Sequence, residues 1–244
     1  MAERPLGLEK VLDDSALHVC KALSGSPLSR TFYLAGGTGL ALQLRHRVSL
    51  DLDFFTISPN ERLDSALVSS SLERLFSGQT LSLEMSQVDQ STWTVGSTKT
   101  SFVAYPFPLI DAPIQGRAVA ESLSGLQLAS VRDIACMKAY ALGRRATYRD
   151  YVDLYFILKE TDLALDSLMA DCARKFVMVG ERLFSARLFL EQLVYTEDIE
   201  DRDVTLRLLL GQKDLTAGEI DRYLREKVDR FLQNEVDTSG GDTP

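Results

Sequence analysis

Two runs decide how this chain folds: Phe32-Tyr33-Leu34-Ala35-Gly36-Gly37-Thr38 and, a helix-length further on, Leu50-Asp51-Leu52-Asp53-Phe54-Phe55. Thr31 to Ala35 is apolar and aromatic, which predicts a short buried strand. Gly36-Gly37 predicts a turn, and Thr38 to Arg45, with apolar residues at 40, 41, 42 and 44, predicts a helix. From Ser49 to Phe55, Leu50, Leu52 and Phe54 alternate with Ser49, Asp51 and Phe55. A strand presents alternate residues on opposite faces, so Asp51 and Asp53 share one face.

Two carboxylates on one strand face repel and raise one another's pKa, so something must offset them. A divalent cation does this. Mg²⁺ takes one or two carboxylates together with substrate phosphate oxygens, and paired ions can clamp both oxygens of a phosphoryl displacement. Gly36-Gly37-Thr38 supplies the complement: backbone that can approach phosphates, helix N–H groups that face them, and a hydroxyl able to donate. Each feature alone has an ordinary reading, as a turn or as a solvated sheet face. In one run they describe a nucleoside triphosphate site.

Outward from this run, Gly7 to Leu23 carries apolar residues at helical spacing and predicts an opening helix, ended by Gly25-Ser26-Pro27. Pro59 to Phe76 predicts a helix entered through Ser58-Pro59. Strands follow at Thr80–Met85, Thr92–Val95 and Lys99–Tyr105, closed by Pro106 and Pro108. From Ser130 the chain reads as helix after helix. Ser130-Val131-Arg132-Asp133 and Thr147-Tyr148-Arg149-Asp150 are capping-box patterns opening helices to about Gly143 and Glu160. Further helices are expected at Asp166–Val177, Ser185–Thr196, Asp201–Leu210 and Thr216–Asn234. The fold class is therefore α/β (α+β), with an α/β domain over 1–125, a helical bundle over 126–236, and a polar disordered tail over 237–244.

With these motifs in order, the sequence resembles the polymerase-beta-like nucleotidyltransferases, and within them the AbiEii/AbiGii toxin family. Gly36-Gly37-Thr38 with Asp51 and Asp53 matches the superfamily's glycine turn and Asp-x-Asp. Val131 to Lys138, followed by Arg144-Arg145 and Arg149-Asp150-Tyr151-Val152-Asp153-Leu154, is similar to the family's Lys motif and its R-x-x-D-x-x-D-L-type motif. The resemblance implies NMP transfer from an NTP to an acceptor hydroxyl, Mg²⁺ on Asp51 and Asp53, phosphates on Gly36, Gly37, Thr38 and Lys138, and an active-site acid at Asp150 or Asp153. It also implies a toxin of a bacterial toxin–antitoxin or phage-defence system, a tRNA end or a protein as acceptor, and an antitoxin protein as partner. Arg144, Arg145 and Arg149 are then candidates for an RNA backbone. One departure stands out: Thr98 to Tyr105 carries no third metal-binding acid, and Glu84 is the substitute on offer. The residues leave two alternatives, a small-molecule nucleotidyltransferase of the antibiotic-modifying kind and a non-catalytic nucleotide-binding module.

Composition sets the outer limits. The chain has 244 residues, 27 Lys+Arg against 35 Asp+Glu, 45% hydrophobic residues and 3 Cys. That is enough chain for two cores, and it excludes collagen-like, low-complexity and disulfide-scaffold classes. A net charge of −8 argues against a chain-wide basic surface. Cys20, Cys136 and Cys172 lack metal spacing and sit in apolar contexts, which suits a reducing cytoplasm. Charges throughout the first twenty residues rule out a signal-type segment, and no run reaches the length of a membrane span. Gly37-Thr38-Gly39 departs from a dinucleotide fingerprint because Leu42 stands where the third glycine belongs. His18 and His46 are isolated, so zinc is not expected.

Overall fold

A computed structural model describes residues 7–142, 144 and 145, 147–212 and 214–239. The charges of the first six residues, the expected helix end at Gly143 and the tail from 240 lie outside these. The chain divides into two compact units, 1–134 and 135–244, and the division falls inside one helix. The expected mixed α/β (α+β) architecture is present, with strands and helices in the first unit and helices after it.

The first unit opens with α1 (Leu8–Val11) and α2 (Asp14–Ser24) where one helix is expected. Asp13 causes the break: its carboxylate accepts from the Ala16 N–H at 2.7 Å, capping a new helix. A single turn, α3 (Leu28–Thr31), leads into β1 (Phe32–Leu34), wholly buried as the apolar run predicts. The glycine pair is the start of α4 (Gly36–Leu44) rather than a separate turn before it. Gly36 takes φ +60°, the left-handed region open to glycine, and the chain reverses there directly into the helix.

β2 (Leu52–Thr56) alternates buried and half-buried positions, with Leu52, Phe54 and Thr56 inward. The next helix, α5 (Ser65–Leu75), starts later than Ser58-Pro59 suggests, because Asp64 caps it by accepting from the Leu67 N–H at 2.9 Å. β3 (Leu81–Ser86), β4 (Gln90–Val95) and β5 (Thr98–Val103) follow as an antiparallel series close to the expected bounds. Trp93 of β4 is buried. Two strands that no sequence signal announced, β6 (Ile114–Gln115) and β7 (Gln127–Leu128), are two residues each.

The sheet order is β3-β4-β5-β2-β1-β7-β6. β1 pairs antiparallel with β2, while β2 pairs in parallel with β5, matching Leu52 with Thr100 and Asp53 with Ser101. The sheet is therefore mixed. Ser130 then caps α6 (Val131–Leu142), its Oγ accepting from the Asp133 N–H at 3.0 Å.

The second unit is helical, as expected, around α7 (Tyr148–Glu160), α8 (Leu165–Lys175), α9 (Ala186–Leu193), α10 (Arg202–Leu206) and α11 (Ala217–Ser239). α11 packs on α7, α8 and α9, and it continues over 237–239, which the composition assigned to a disordered tail. A small hairpin, β8 (Val177–Met178) with β9 (Glu181–Arg182), separates α8 from α9. The three cysteines are free and buried. Among the described residues no helix is long and apolar enough to cross a membrane.

Candidate functional site

The glycine turn and the acidic strand meet in the first unit. The Ala35 N–H donates to the Asp53 carbonyl at 3.0 Å, so the residue before the turn is tied to the acidic strand. A Cβ built on Gly36 would stand 2.7 Å from Asp53 Oδ2. A side chain there would displace the Asp53 carboxylate, and the positive φ favours glycine. Asp51 and Asp53 are half-buried; Asp53 lies by strand alternation on the face of β2 opposite buried Leu52 and Phe54, while Asp51 immediately precedes the strand, which starts at Leu52 and leaves Leu50 exposed rather than in the expected alternation.

The Thr38 hydroxyl is buried, donates to the Asp51 carbonyl, and lies 2.7 Å from Ser49 Oγ. It pins the backbone that carries Asp51 to the first turn of α4. Gly37 is needed for a second close approach: a Cβ there would lie 2.2 Å from Arg47 Nη2 and 3.2 Å from its Cζ. Arg47 is only 2% exposed, and its Nη1 donates to the Val48 carbonyl at 3.0 Å. Sequence spacing does not single out Arg47, which stands in the basic run Arg45-His46-Arg47 just before the acidic strand.

The donor set suits a hard cation. Two half-buried carboxylates stand at the start of β2, Asp51 just before it and Asp53 within it, and the hydroxyl of Ser101 stands in register with Asp53 on β5, 3.2 Å from Thr92 Oγ1. Among the described residues no cluster of three or more acidic, His or Cys side chains could hold a metal. Mg²⁺ completes its shell with waters and substrate phosphates, so two carboxylates fit it. Glu84 is not the third ligand. It is exposed on β3, three strands from β2 in the sheet order, roughly 14 Å away at the usual strand spacing.

The second motif forms a buried ion cluster within the second unit. Lys138 Nζ lies 2.7 Å from Asp150 Oδ1 and 2.6 Å from Asp153 Oδ2, with the three residues 5%, 1% and 0% exposed. Arg145 Nε reaches Asp150 Oδ2 at 3.1 Å, and the Thr147 hydroxyl donates to the same oxygen at 3.0 Å. The expected capping role of Asp150 is absent: Thr147 makes no side-chain cap, and Asp150 turns its carboxylate to the cations. Burial by itself would raise the Asp150 pKa, but Lys138 and Arg145 hold the carboxyl below its ordinary range.

The basic patch read along residues 132–149 is largely neutralised. Arg132 pairs with Asp111 at 3.7 Å, and Lys138 and Arg145 face Asp150. Arg144 lies 3.4 Å over the Tyr140 ring, which stacks on Phe176 at 4.1 Å, and it donates to the Tyr140 and Leu183 carbonyls. Its guanidinium fastens the hairpin region to its own helix end. Arg149 is half-buried on α7.

Known proteins resemble this chain along most of its length. A family model described as "Nucleotidyl transferase AbiEii toxin, Type IV TA system" matches residues 19–237. An uncharacterised protein of Aquifex aeolicus (strain VF5) is 30% identical over 203 residues, 83% of this chain and 89% of that protein. Among solved structures, a candidate nucleotidyltransferase from H. pylori superposes with a TM-score of 0.53 at 18% identity, over 93% of this chain and 98% of that one. MenT4, a nucleotidyltransferase toxin from Mycobacterium tuberculosis H37Rv, does so with a TM-score of 0.54 at 16% identity, over 87% and 82%.

Proposed function

The chain belongs to the AbiEii nucleotidyltransferase toxin family, and from that premise we propose that it moves a nucleoside monophosphate from an NTP to an acceptor hydroxyl in a Mg²⁺-dependent reaction. The observation that carries the site is the closeness of Asp53 to Gly36, where a Cβ would stand 2.7 Å from Asp53 Oδ2, so the acidic strand lies directly against the helix start. Asp51 and Asp53 would hold Mg²⁺, which supplies neutralisation of phosphate charge when bound. The N–H groups at the start of α4 face the phosphates. The acceptor oxygen bonds to the α-phosphorus, the bond to the bridging oxygen breaks, and pyrophosphate leaves with the electron pair. The acceptor's proton passes to a carboxylate of the Asp51–Asp53 pair.

A tRNA end or a protein is the proposed acceptor, within a bacterial toxin–antitoxin or phage-defence system in the cytoplasm, with an antitoxin protein as proposed partner. The exposed guanidinium of Arg145 and half-buried Arg149 are the cations through which an RNA backbone would add salt dependence. Lys138, Asp150 and Asp153 are proposed as a unit whose mutual charges keep one another in place. Incubation with each α-labelled NTP, Mg²⁺ and total tRNA tests the reading: label transfer is expected from the wild type, and a loss of at least about a hundredfold from Asp51→Asn or Asp53→Asn. Undiminished transfer by both variants overturns the metal assignment. The two-carboxylate donor set favours one second reading, a nucleotide-binding module without turnover, and the same assay would then give Mg²⁺-dependent NTP binding with no label on RNA, protein or small acceptors.

A further inference from the structure

We propose that the cavity at the C-terminal end of α4 is a binding site for a small apolar molecule bearing a single carboxylate, with Arg45 as the group that recognises the charge. The site stands apart from the glycine turn. Arg45 is nine residues beyond Gly36, roughly 13 Å along the helix at its usual rise.

The cavity has the size and lining of a ligand site. It measures about 560 Å³ and lies between α1, the end of α4 and the segment from β6 to Ala120. Leu8, Leu42, Ile114 and Val119 give it apolar walls, and its two polar side chains are Gln43 and Arg45. Small-molecule sites have this composition, an apolar concavity with few polar groups. Gln43 is committed, because its amide nitrogen donates to the Gly39 and Ala129 carbonyls at 2.8 and 3.0 Å. The guanidinium is the donor that remains.

That guanidinium lacks acceptors. Nη2 donates to the Val119 carbonyl over a long 3.3 Å, and Nη1 is shielded from water with no hydrogen-bond partner. No carboxylate among the described residues pairs with it. Burial pushes its pKa below the ordinary value, and the charge of Glu9 offsets part of this. A donor kept from water without a partner costs stability, so its retention points to a ligand that supplies the acceptors. The side chain is only half-buried and lines the cavity, which puts the fork within a ligand's reach. Turning Nη1 toward a bound carboxylate exchanges one weak bond for two charge-assisted ones.

Backbone conformation adds to the case. Arg45 takes φ +57° at the C-cap of α4, a left-handed position where glycine is usual. A cation near a helix C-terminus is favourable, which accounts for a charge there. It does not account for a guanidinium sunk among apolar walls. One guanidinium opposed by Glu9 suits a monoanion, whereas a doubly charged phosphate would leave an uncompensated charge in an apolar space. A carboxylate on an apolar body matches both the planar fork and the walls.

Calorimetric titration of the full chain with octanoate tests this, with octanamide, octylammonium and inorganic phosphate as comparisons. Octanoate is expected to bind at least about tenfold more tightly than any of the three, and each methylene removed from it should weaken binding about fourfold. Arg45→Gln should lose about tenfold or more in octanoate affinity, with octanamide binding unchanged. Its ligand-free melting temperature should match wild type, while the rise that octanoate gives wild type should disappear. A merely structural arginine would lower the first and leave the second. Ala118 is exposed and lines the cavity, so Ala118→Phe should fill the space and block octanoate without removing the charge. Octanoate bound no better than octanamide, or a folded Arg45→Gln that binds octanoate like wild type, overturns the proposal. If Arg45→Gln does not fold, octanoate binding unchanged in Ala118→Phe overturns it instead. Each of these results leaves the nucleotidyltransferase reading standing, since label transfer is its separate assay.

Discussion

A lysine seven residues into a helix usually carries its charge to water along its flexible stem. Lys138 keeps its charge inside, between Asp150 and Asp153. Removing it takes from two buried carboxylates the cation they share, and Lys138→Met should cost about 3–5 kcal/mol in urea unfolding. The pH dependence should also reverse. In the wild type the Asp150 carboxyl is held below its ordinary range, so its contribution is complete above that range and is lost as pH falls through it. In the variant, burial raises the carboxyl pKa, so stability is highest in acid and falls as pH rises. Unfolding midpoints from pH 5 to 8 should be flat for wild type and decline for Lys138→Met; a variant as flat and as stable as wild type would mean that the cluster contributes nothing. Sequence spacing makes these residues visible as a set, yet it also offers Asp150 a capping role that the structure does not form. The Thr147 capping box is a local pattern, and the partners that captured Asp150 come from a preceding helix and loop.

Capping separates the elements that were legible from those that were not. The Ser130 box functions as its spacing implies, and its acid does more: Asp133 accepts from the Ile110 and Asp111 N–H groups at 2.8 and 3.1 Å, tying the segment after β5 to the start of α6. Ser130→Ala should cost about 1 kcal/mol and speed hydrogen exchange at both amides, while unchanged exchange would restrict Ser130 to its own helix. At Asp13 and Asp64, by contrast, an acid inside an expected helical stretch caps a helix that starts only after it. Periodicity runs across such a restart unseen, because the apolar spacing survives the change of axis. β6 and β7 were unreadable for another reason. Two residues cannot display alternation, and they form strands because β1 presents an edge to β7, pairing Leu34 with Leu128.

Over the whole chain, the α/β unit, the helical unit and the family were legible because glycine pairs, alternating acids and charged helix motifs are local patterns that function holds in place. The packing of Arg47 against Gly37 was not, since no spacing rule reports what a guanidinium touches. The division at residues 134 and 135 has a practical consequence. The sole tryptophan, Trp93, is buried in the sheet of the first unit, whereas the second is rich in helix and its aromatics are tyrosine and phenylalanine. Indole emission therefore serves as a private optical label for one half of the molecule, and far-ultraviolet dichroism is weighted toward the other. Chemical denaturation followed both ways should give curves that do not superimpose, and ligand added at the glycine turn should delay the emission curve first. Curves that coincide at every ligand concentration would mean that the halves melt as one.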